Sequence, residues 1–337
     1  MRWKKRNTFI ILGLLFLCAA ILEVSLGPMT IPIGKVMSGT WGYFQGARSA
    51  DAVVLGAIRW PRLLTAAFVG MGLASTGSVL QSVFRNPMAD PAIIGVSSGG
   101  ALGAVVSIQF GFAAINQWFT PLGAFITGLA VVYIIYRLAT IRGKTSIYAL
   151  LLAGVAISSF CSAIVTLMMS LAPLSTMQEM LFWLMGGLDG STWMHVLVVG
   201  SFTCLGMFIY LMQAPALDIL SIGEEQAEGL GVHLQHTKQI VFTVSAFVVG
   251  ACVSVSGVIA FVGLIVPHFV RMMIGPRHRF LIPASGIGGG ILMLLSDVIS
   301  RMAFQPLELN VGIITSCLGA PFFLYLLRKS NRAEVRG

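Results

Sequence analysis

The chain has 337 residues, 57% of them hydrophobic and only 10% charged, with a mean hydropathy of +0.91. Soluble domains carry about a quarter charged residues, so this is a polytopic membrane protein. A span takes about 20 apolar residues, and ten of them leave no room for a soluble catalytic domain. The net charge of +9 is spread in a way that fits membrane topology rather than nucleic acid.

Continuous apolar runs without polar alternation point to helices, since a helix satisfies its own backbone hydrogen bonds in lipid. The expected fold class is all-α, a single transmembrane domain over residues 1–337 with about ten helices. In chain order the spans are predicted at 8–27, 54–81, 92–112, 118–139, 147–171, 192–212, 238–257, 258–274, 281–303 and 309–328. The basic start, Arg2 to Arg6, followed by an apolar run to Leu22, imitates a secretory signal. No small-x-small cleavage site follows, and Leu17 before Cys18 spoils a lipoprotein site, so this run is span one.

With the N-terminus inside, sixteen of the 21 Lys and Arg residues face the cytoplasm, leaving Lys35, Arg48, Arg59, Arg62 and Arg301 outside. That distribution obeys the positive-inside rule and places both termini inside. Small residues recur four apart in spans, at Gly70 and Ala74, Gly99 and Gly103, Ala124 and Gly128, Gly286 and Gly290, which lets helices approach closely. The five cysteines fall singly in apolar runs with no Cys-x-x-Cys spacing and read as packing residues.

Leu217 to Gly231 carries four of the twelve carboxylates and separates two long apolar runs. Glu224 and Glu225 belong in the first turn of a short helix, with Gly231 as its stop. Ile222, Ala227 and Leu230 give that helix an apolar side, either for a soluble partner or within a solvated connector. Outside, Arg59 and Arg62 lie three apart at the start of span two and point to the outer surface, with Arg301 near the end of span nine. They call for an anionic partner, unless Arg301 pairs with Asp297 one turn back and the other two snorkel to headgroups.

No catalytic or metal-binding constellation is legible. Gly143-Lys144-Thr145 lacks the upstream glycine of a phosphate-binding loop, the five histidines are scattered, and no Ser-His-Asp arrangement is visible. His268 reads as a hydrogen-bonded packing residue. Proton- and sodium-coupled carriers keep an ionisable group at mid-membrane. Here Glu23, Asp51, Asp90, Glu179, Asp189, Asp297 and Glu308 lie at span ends or in loops, so the energy for transport has to come from elsewhere.

Several segments together resemble the FecCD-like, type II permeases of bacterial ATP-binding-cassette (ABC) importers for iron-siderophore, haem and vitamin B12. They are Arg59-Trp60-Pro61-Arg62, Asn86-Pro87-Met88-Ala89-Asp90-Pro91 with Gly95-Val96-Ser97-Ser98-Gly99, Leu151-Leu152-Ala153-Gly154 and Trp183-Leu184-Met185-Gly186-Gly187. Gly223-Glu224-Glu225 with Leu230-Gly231-Val232, Phe261 to His268 and Leu318-Gly319-Ala320-Pro321 complete the series.

The resemblance implies a non-enzymatic subunit of the bacterial cytoplasmic (inner) membrane that binds no cofactor or metal itself. Its implied partners are a second permease copy or paralogue, two ATPase subunits that carry ATP and Mg, a soluble extracytoplasmic binding protein and membrane lipid, but not nucleic acid. Arg59, Arg62 and Arg301 match arginines that meet glutamates on the binding protein. Ile222, Gly223, Glu224, Glu225, Ala227, Leu230 and Gly231 match the segment that couples to the ATPase. Asn86, Pro87, Met88, Thr145 and Ser146 match a cytoplasmic gate, with Met88 replacing the usual Leu. Iron-siderophore is the first expected substrate, then haem or cobalamin, with a metal oxyanion as an alternative. The competing class is an ATP-independent carrier or channel.

Overall fold

The computed structural model describes residues 2–27, 29, 31–47 and 49–334. Arg48 and Arg336, counted above for topology, lie outside the described residues. Each predicted span is matched by one helix: α1 (Arg2–Ser25), α4 (Trp60–Val83), α5 (Val96–Gln109), α7 (Phe119–Ala139), α8 (Ile147–Leu171), α10 (Trp193–Leu220), α12 (Leu234–Ser256), α13 (Val262–Ile274), α14 (His278–Met302) and α15 (Val311–Glu334). Among the described residues, seven segments are long and apolar enough to cross a membrane, and α5, α13 and the first part of α15 are shorter apolar helices. The protein is a multi-pass, all-α membrane protein.

Four further helices were not predicted: α2 (Ile33–Phe44), α3 (Ala50–Val53), α6 (Phe112–Ile115) and α9 (Leu174–Leu184). Pro32 and Pro173 stand at the N-caps of α2 and α9, where a missing N–H costs nothing. A π-helical turn, Val54–Arg59, joins α3 to α4. The sixth span also runs further than expected, carrying α10 on to Leu220 and making Asp218 part of its last turn.

The Gly143-Lys144-Thr145 segment is a small hairpin. Strands β1 (Thr140–Ile141) and β2 (Lys144–Thr145) pair antiparallel around Arg142 and Gly143, both at positive φ. That is the two-residue turn whose twist suits a hairpin.

Helix α4 runs through the core, nearly all of its residues buried, with α14 antiparallel beside it and α10, α12 and α13 around them. Small residues set the spacing of the central pair. A Cβ on Gly70 would fall inside van der Waals distance of the Gly289 carbonyl, and one on Gly289 inside that of the Gly70 carbonyl. The predicted contact residue Gly286 instead faces Met207 of α10. In the outer layer Gly99 and Gly103 of α5 meet α7, where Thr127 Oγ1 donates to Gly99 O at 2.7 Å. A buried polar crosspiece, Thr76 to Tyr210 to Ser245 with both links 3.0 Å, ties α4, α10 and α12. Satisfied hydroxyls of this kind are tolerated in lipid because each finds a partner on a neighbouring helix.

Candidate functional site

Because α4 and α14 are antiparallel, the start of one meets the end of the other, and polar groups gather at each meeting. At the first, Arg62 Nε and Nη2 donate to Asp297 Oδ2 and Oδ1, both at 2.9 Å. Its Nη1 lies 3.0 Å from Glu308 and 2.8 Å from Asp189. Arg301 pairs with Glu23 at 2.5 Å and with Asp297 at 3.2 Å, and donates to the carbonyls of Leu26 and Glu23. Arg59 donates to the carbonyls of Val24 and Met29. Gly27 sits between two guanidinium groups, where a Cβ would come within 3.1 Å of Arg59 and 3.2 Å of Arg301.

The structure thus brings Arg59, Arg62 and Arg301 together, but turns them inward rather than to the outer surface. All three are buried. The reason is local supply. Glu23, Asp189, Asp297 and Glu308 provide four carboxylates for three guanidinium groups, and the connector after α1 adds carbonyls. The local Arg301–Asp297 pairing is present; snorkelling of Arg59 and Arg62 is not. The accessible rim of the cluster is Asp189 and Glu308, whose side chains are 61% and 30% exposed.

At the opposite end lies helix α11 (Glu224–Gly229), with Glu224 and Glu225 in its first turn. Gly231, at φ +82°, ends it, and the Val232 N–H reaches back to Ala227 O, a left-handed helix stop. Ile222 and Leu230 are exposed, whereas Ala227 is fully buried. Ala227 therefore does not belong to the apolar outer face expected from the sequence; it seats α11 on the bundle. Lys238, expected as the first residue of the seventh span, lies in the second turn of α12, buried, and its Nζ lies 2.9 Å from both carboxylate oxygens of Glu224.

Next to α11 the structure assembles an arrangement that the sequence reading had not found. Asp218 Oδ1 lies 2.6 Å from His278 Nδ1, and His278 Nε2 lies 2.6 Å from Ser82 Oγ. The residues are 60 and 196 positions apart, which no local spacing could reveal. Ser82 and His278 are buried, so this Ser-His-Asp chain ties helix ends together and presents no accessible nucleophile.

Along α4, Arg62 and Ser82 are separated by about 30 Å at 1.5 Å per residue, the thickness of a bilayer's hydrocarbon core. The arginine cluster and the acidic segment therefore sit at opposite ends of one packed helix pair. The family model described as the FecCD transport family matches residues 14–329. The chain belongs to that family. It is similar to the hemin transport system permease of Yersinia pestis, 40% identical over 81% of this chain and 83% of that protein. The cobalamin import system permease of Halobacterium salinarum is 41% identical over 84% of this chain and 75% of its own. A solved chain, described as an inward-facing ABC transporter of metal-chelate type, superposes with TM-score 0.83 at 31% identity, covering 96% of this chain and 99% of that one. The protein is thus a FecCD permease subunit of an ABC importer.

Of the residues matched to the FecCD gate, Asn86 and Pro87 are exposed, and Asn86 Oδ1 accepts from the Met88 N–H at 2.9 Å. Thr145 is buried and receives Gln235 Oε1 on its N–H at 3.1 Å. Ser146 caps α8 through the Ala149 N–H. A hollow of about 490 Å³ is lined by Phe84, Arg85, Thr145, Ser146, Tyr148 and Glu224, among others. It brings Thr145 and Ser146 to Glu224, two residues expected at a gate and one expected to couple; Asn86, Pro87 and Met88 do not line it.

Proposed function

We propose that this chain forms, with a second permease copy or paralogue, the membrane path of a bacterial ABC importer for a metal chelate. The observation that carries the reading lies on α8. Ser158, Ser159, Ser162 and Thr166 line an open-sided hollow of about 600 Å³ in mid-span, the size range of small-molecule sites. A hydroxyl stripe facing lipid is unfavourable. A second subunit laid against it encloses a polar path with neutral walls, suited to a bulky chelate and lacking the buried acid of a coupled carrier.

In this reading the whole chain is one transmembrane domain in the bacterial cytoplasmic membrane, both termini inside, and it catalyses no reaction. ATP and Mg are held by two partner ATPase subunits, against which Ile222 and Leu230 dock. Closure of those subunits displaces α11 and shifts the spans between outward- and inward-open packings. A soluble binding protein docks at the opposite end, where Arg62 is the guanidinium nearest the accessible rim; Arg59 and Arg301 hold that platform from within. Asn86 to Met88 and Thr145–Ser146 close the path on the ATPase side.

Iron-siderophore is the substrate proposed first. A haem-type chelate is the second reading, favoured by the 40% identity to a hemin permease.

Proteoliposomes carrying the assembled importer test the reading directly. Accumulation of labelled iron-siderophore or hemin should require both ATP and the binding protein. Accumulation without any ATPase subunit would overturn it in favour of a carrier. Leu230→Asp should release the ATPase subunit while leaving the permease folded, and an intact complex would reject the coupling assignment.

A further inference from the structure

We infer that Ser82, His278 and Asp218 form a proton-dependent joint that positions the coupling segment against α4 and α14, with His278 as the positioning residue. The inference rests on the coupling role proposed for Ile222 to Gly231.

Asp218 sits in the last turn of α10, immediately before that segment. Its Oδ1 lies 2.8 Å from the His278 backbone nitrogen and 2.6 Å from the ring Nδ1. The first contact satisfies one of the unpaired N–H groups at the start of α14 from a different helix. The second fixes the ring. Its other nitrogen reaches Ser82 in the last turn of α4 at 2.6 Å, so one imidazole joins three spans.

His278 is 1% exposed, and any change in its protonation must be absorbed by these partners rather than by water. They can absorb it. With a neutral ring, Nδ1–H donates to Asp218 and the Ser82 hydroxyl donates to Nε2. With a charged ring, Nε2–H donates to Ser82 Oγ, and the hydroxyl turns to Ser78 O, which lies 3.3 Å away. No donor is stranded in either state. The charged form makes the Asp218 contact an ion pair, and charge-assisted hydrogen bonds are about twice as strong as neutral ones. The grip of α14 on the end of α10 therefore depends on whether this ring carries one proton or two.

The other ionisable groups that packed elements bring to this end of α14 are Arg277 and Arg279 in its own first turn, Arg85 beyond α4, Arg271 of α13, and Lys5 and Arg6 of α1. Lys5 lies over the Phe280 ring at 4.2 Å. All are cations; Glu224, which shares a hollow with Phe84 and Arg85, is taken up by Lys238, and among the described residues Asp218 is the carboxylate paired with the ring. Beyond the joint, α4 and α14 run as one unit, in backbone contact at Gly70 and Gly289 and clasped at the far end by Arg62 and Asp297. A displacement of α11 is thereby passed to the arginine end through a stiff pair.

The test uses the full chain in lipid nanodiscs. Hydrogen exchange of the Leu217–Gly231 amides is measured at about pH 6 and about pH 8, after normalising for the intrinsic pH dependence of exchange. The wild type should be protected about fivefold more on the acid side, the difference between a charge-assisted and a neutral hydrogen bond. His278→Gln, which can still hydrogen-bond but cannot ionise, should lose that gain. A merely structural histidine would give lower protection at both pH values with the acid-side gain intact, and that result overturns the inference. Should His278→Gln fail to fold, Ser82→Ala decides. It removes the acceptor of the charged ring while keeping the Asp218 contact, and an undiminished acid-side gain overturns the joint. No ATPase subunit is needed, so failure here leaves the Leu230 docking test standing, and the reverse.

Discussion

Arg62 and Asp297 hold each other through two parallel hydrogen bonds, each 2.9 Å long. Asp297 is fully buried and also faces Arg301 at 3.2 Å, so one carboxylate neutralises two guanidinium groups where water does not reach. Removing it takes away the bidentate partner of Arg62, leaving that side chain only the rim carboxylates Asp189 and Glu308, and leaves Arg301 with Glu23. Asp297→Asn is expected to cost about 3–5 kcal/mol of stability. Glu308→Gln, at the partly exposed rim, should cost about 1 kcal/mol or less. Thermal unfolding of the detergent-solubilised chain ranks them, and equal shifts would contradict the central place given to Asp297.

The same arginine offers a way to separate docking from folding. Arg62 Nη1 is shared by Asp189 and Glu308, and a carboxylate on a docking protein must compete with them. Asp189 is largely exposed, and its removal leaves the Asp297 clasp intact. Asp189→Asn should therefore lower by about two- to fivefold the binding-protein concentration that half-stimulates ATPase activity, the range set by an exposed pair of up to about 1 kcal/mol. An unchanged or higher concentration counts against docking at Arg62.

The spacing of α4 and α14 depends on glycine at a contact where nothing else fits. Gly70→Ala would press a methyl group into the Gly289 backbone, which cannot move aside as a flexible side chain can. Overpacking of this sort costs about 1–3 kcal/mol or more. Gly13→Ala is the control, with open space around its added methyl and a gain of about 1 kcal/mol expected from helix propensity. Thermal midpoints should move in opposite directions.

How much of this could be read from the chain depended on whether the signal was local. Helix α8 was legible at both ends, because an apolar run bounded by Ser146 and Pro173 is periodic and self-contained. The small-residue spacing at Gly70 and Gly99 also predicted close packing, though not its partners. Glu224, Glu225 and Gly231 were legible as the ends of a short helix through dipole and stop rules. What escaped were pairings between distant positions. Nothing near Arg62 announces Asp297, 235 residues away, so the arginines looked exposed. Ala227 looked outward because a six-residue helix is too short for periodicity to show which face the bundle covers.

Asp90 gives a pH test outside the spans. Burial holds its carboxyl above the ordinary carboxylate range, partly offset by N–H groups of Ala92 and Phe261. A raised carboxylate disfavours the charged form in the folded state. The cost is therefore absent below the unfolded pKa and fully present above the folded one. Asp90→Asn keeps the acceptor that receives the Ala92 N–H at 2.8 Å but cannot ionise. Its thermal midpoint should match the wild type near about pH 4 and exceed it toward about pH 7. Asp90→Ala, lacking the cap, should lie about 1 kcal/mol below Asp90→Asn at every pH, since neither variant ionises there. A wild type that gains on Asp90→Asn as pH rises would reverse the assignment.

The pair that seats α11 is unequal, and its two halves should fail differently. The Lys238 side chain is 1% exposed while that of Glu224 is 38% exposed, and both carboxylate oxygens lie 2.9 Å from the ammonium. Taking away the glutamate leaves a buried charge with no counter-ion. Taking away the lysine leaves a carboxylate that can turn to water. Glu224→Gln is therefore expected to cost about 3 kcal/mol or more, whereas Lys238→Met, which fills the same buried channel with an apolar chain, should be close to neutral. In both variants the α11 amides should exchange faster, because the tie to α12 is gone. Thermal unfolding and hydrogen exchange on the two variants separate the effects. A larger loss for Lys238→Met would mean that packing around the lysine stem, rather than its charge, holds the coupling helix in place.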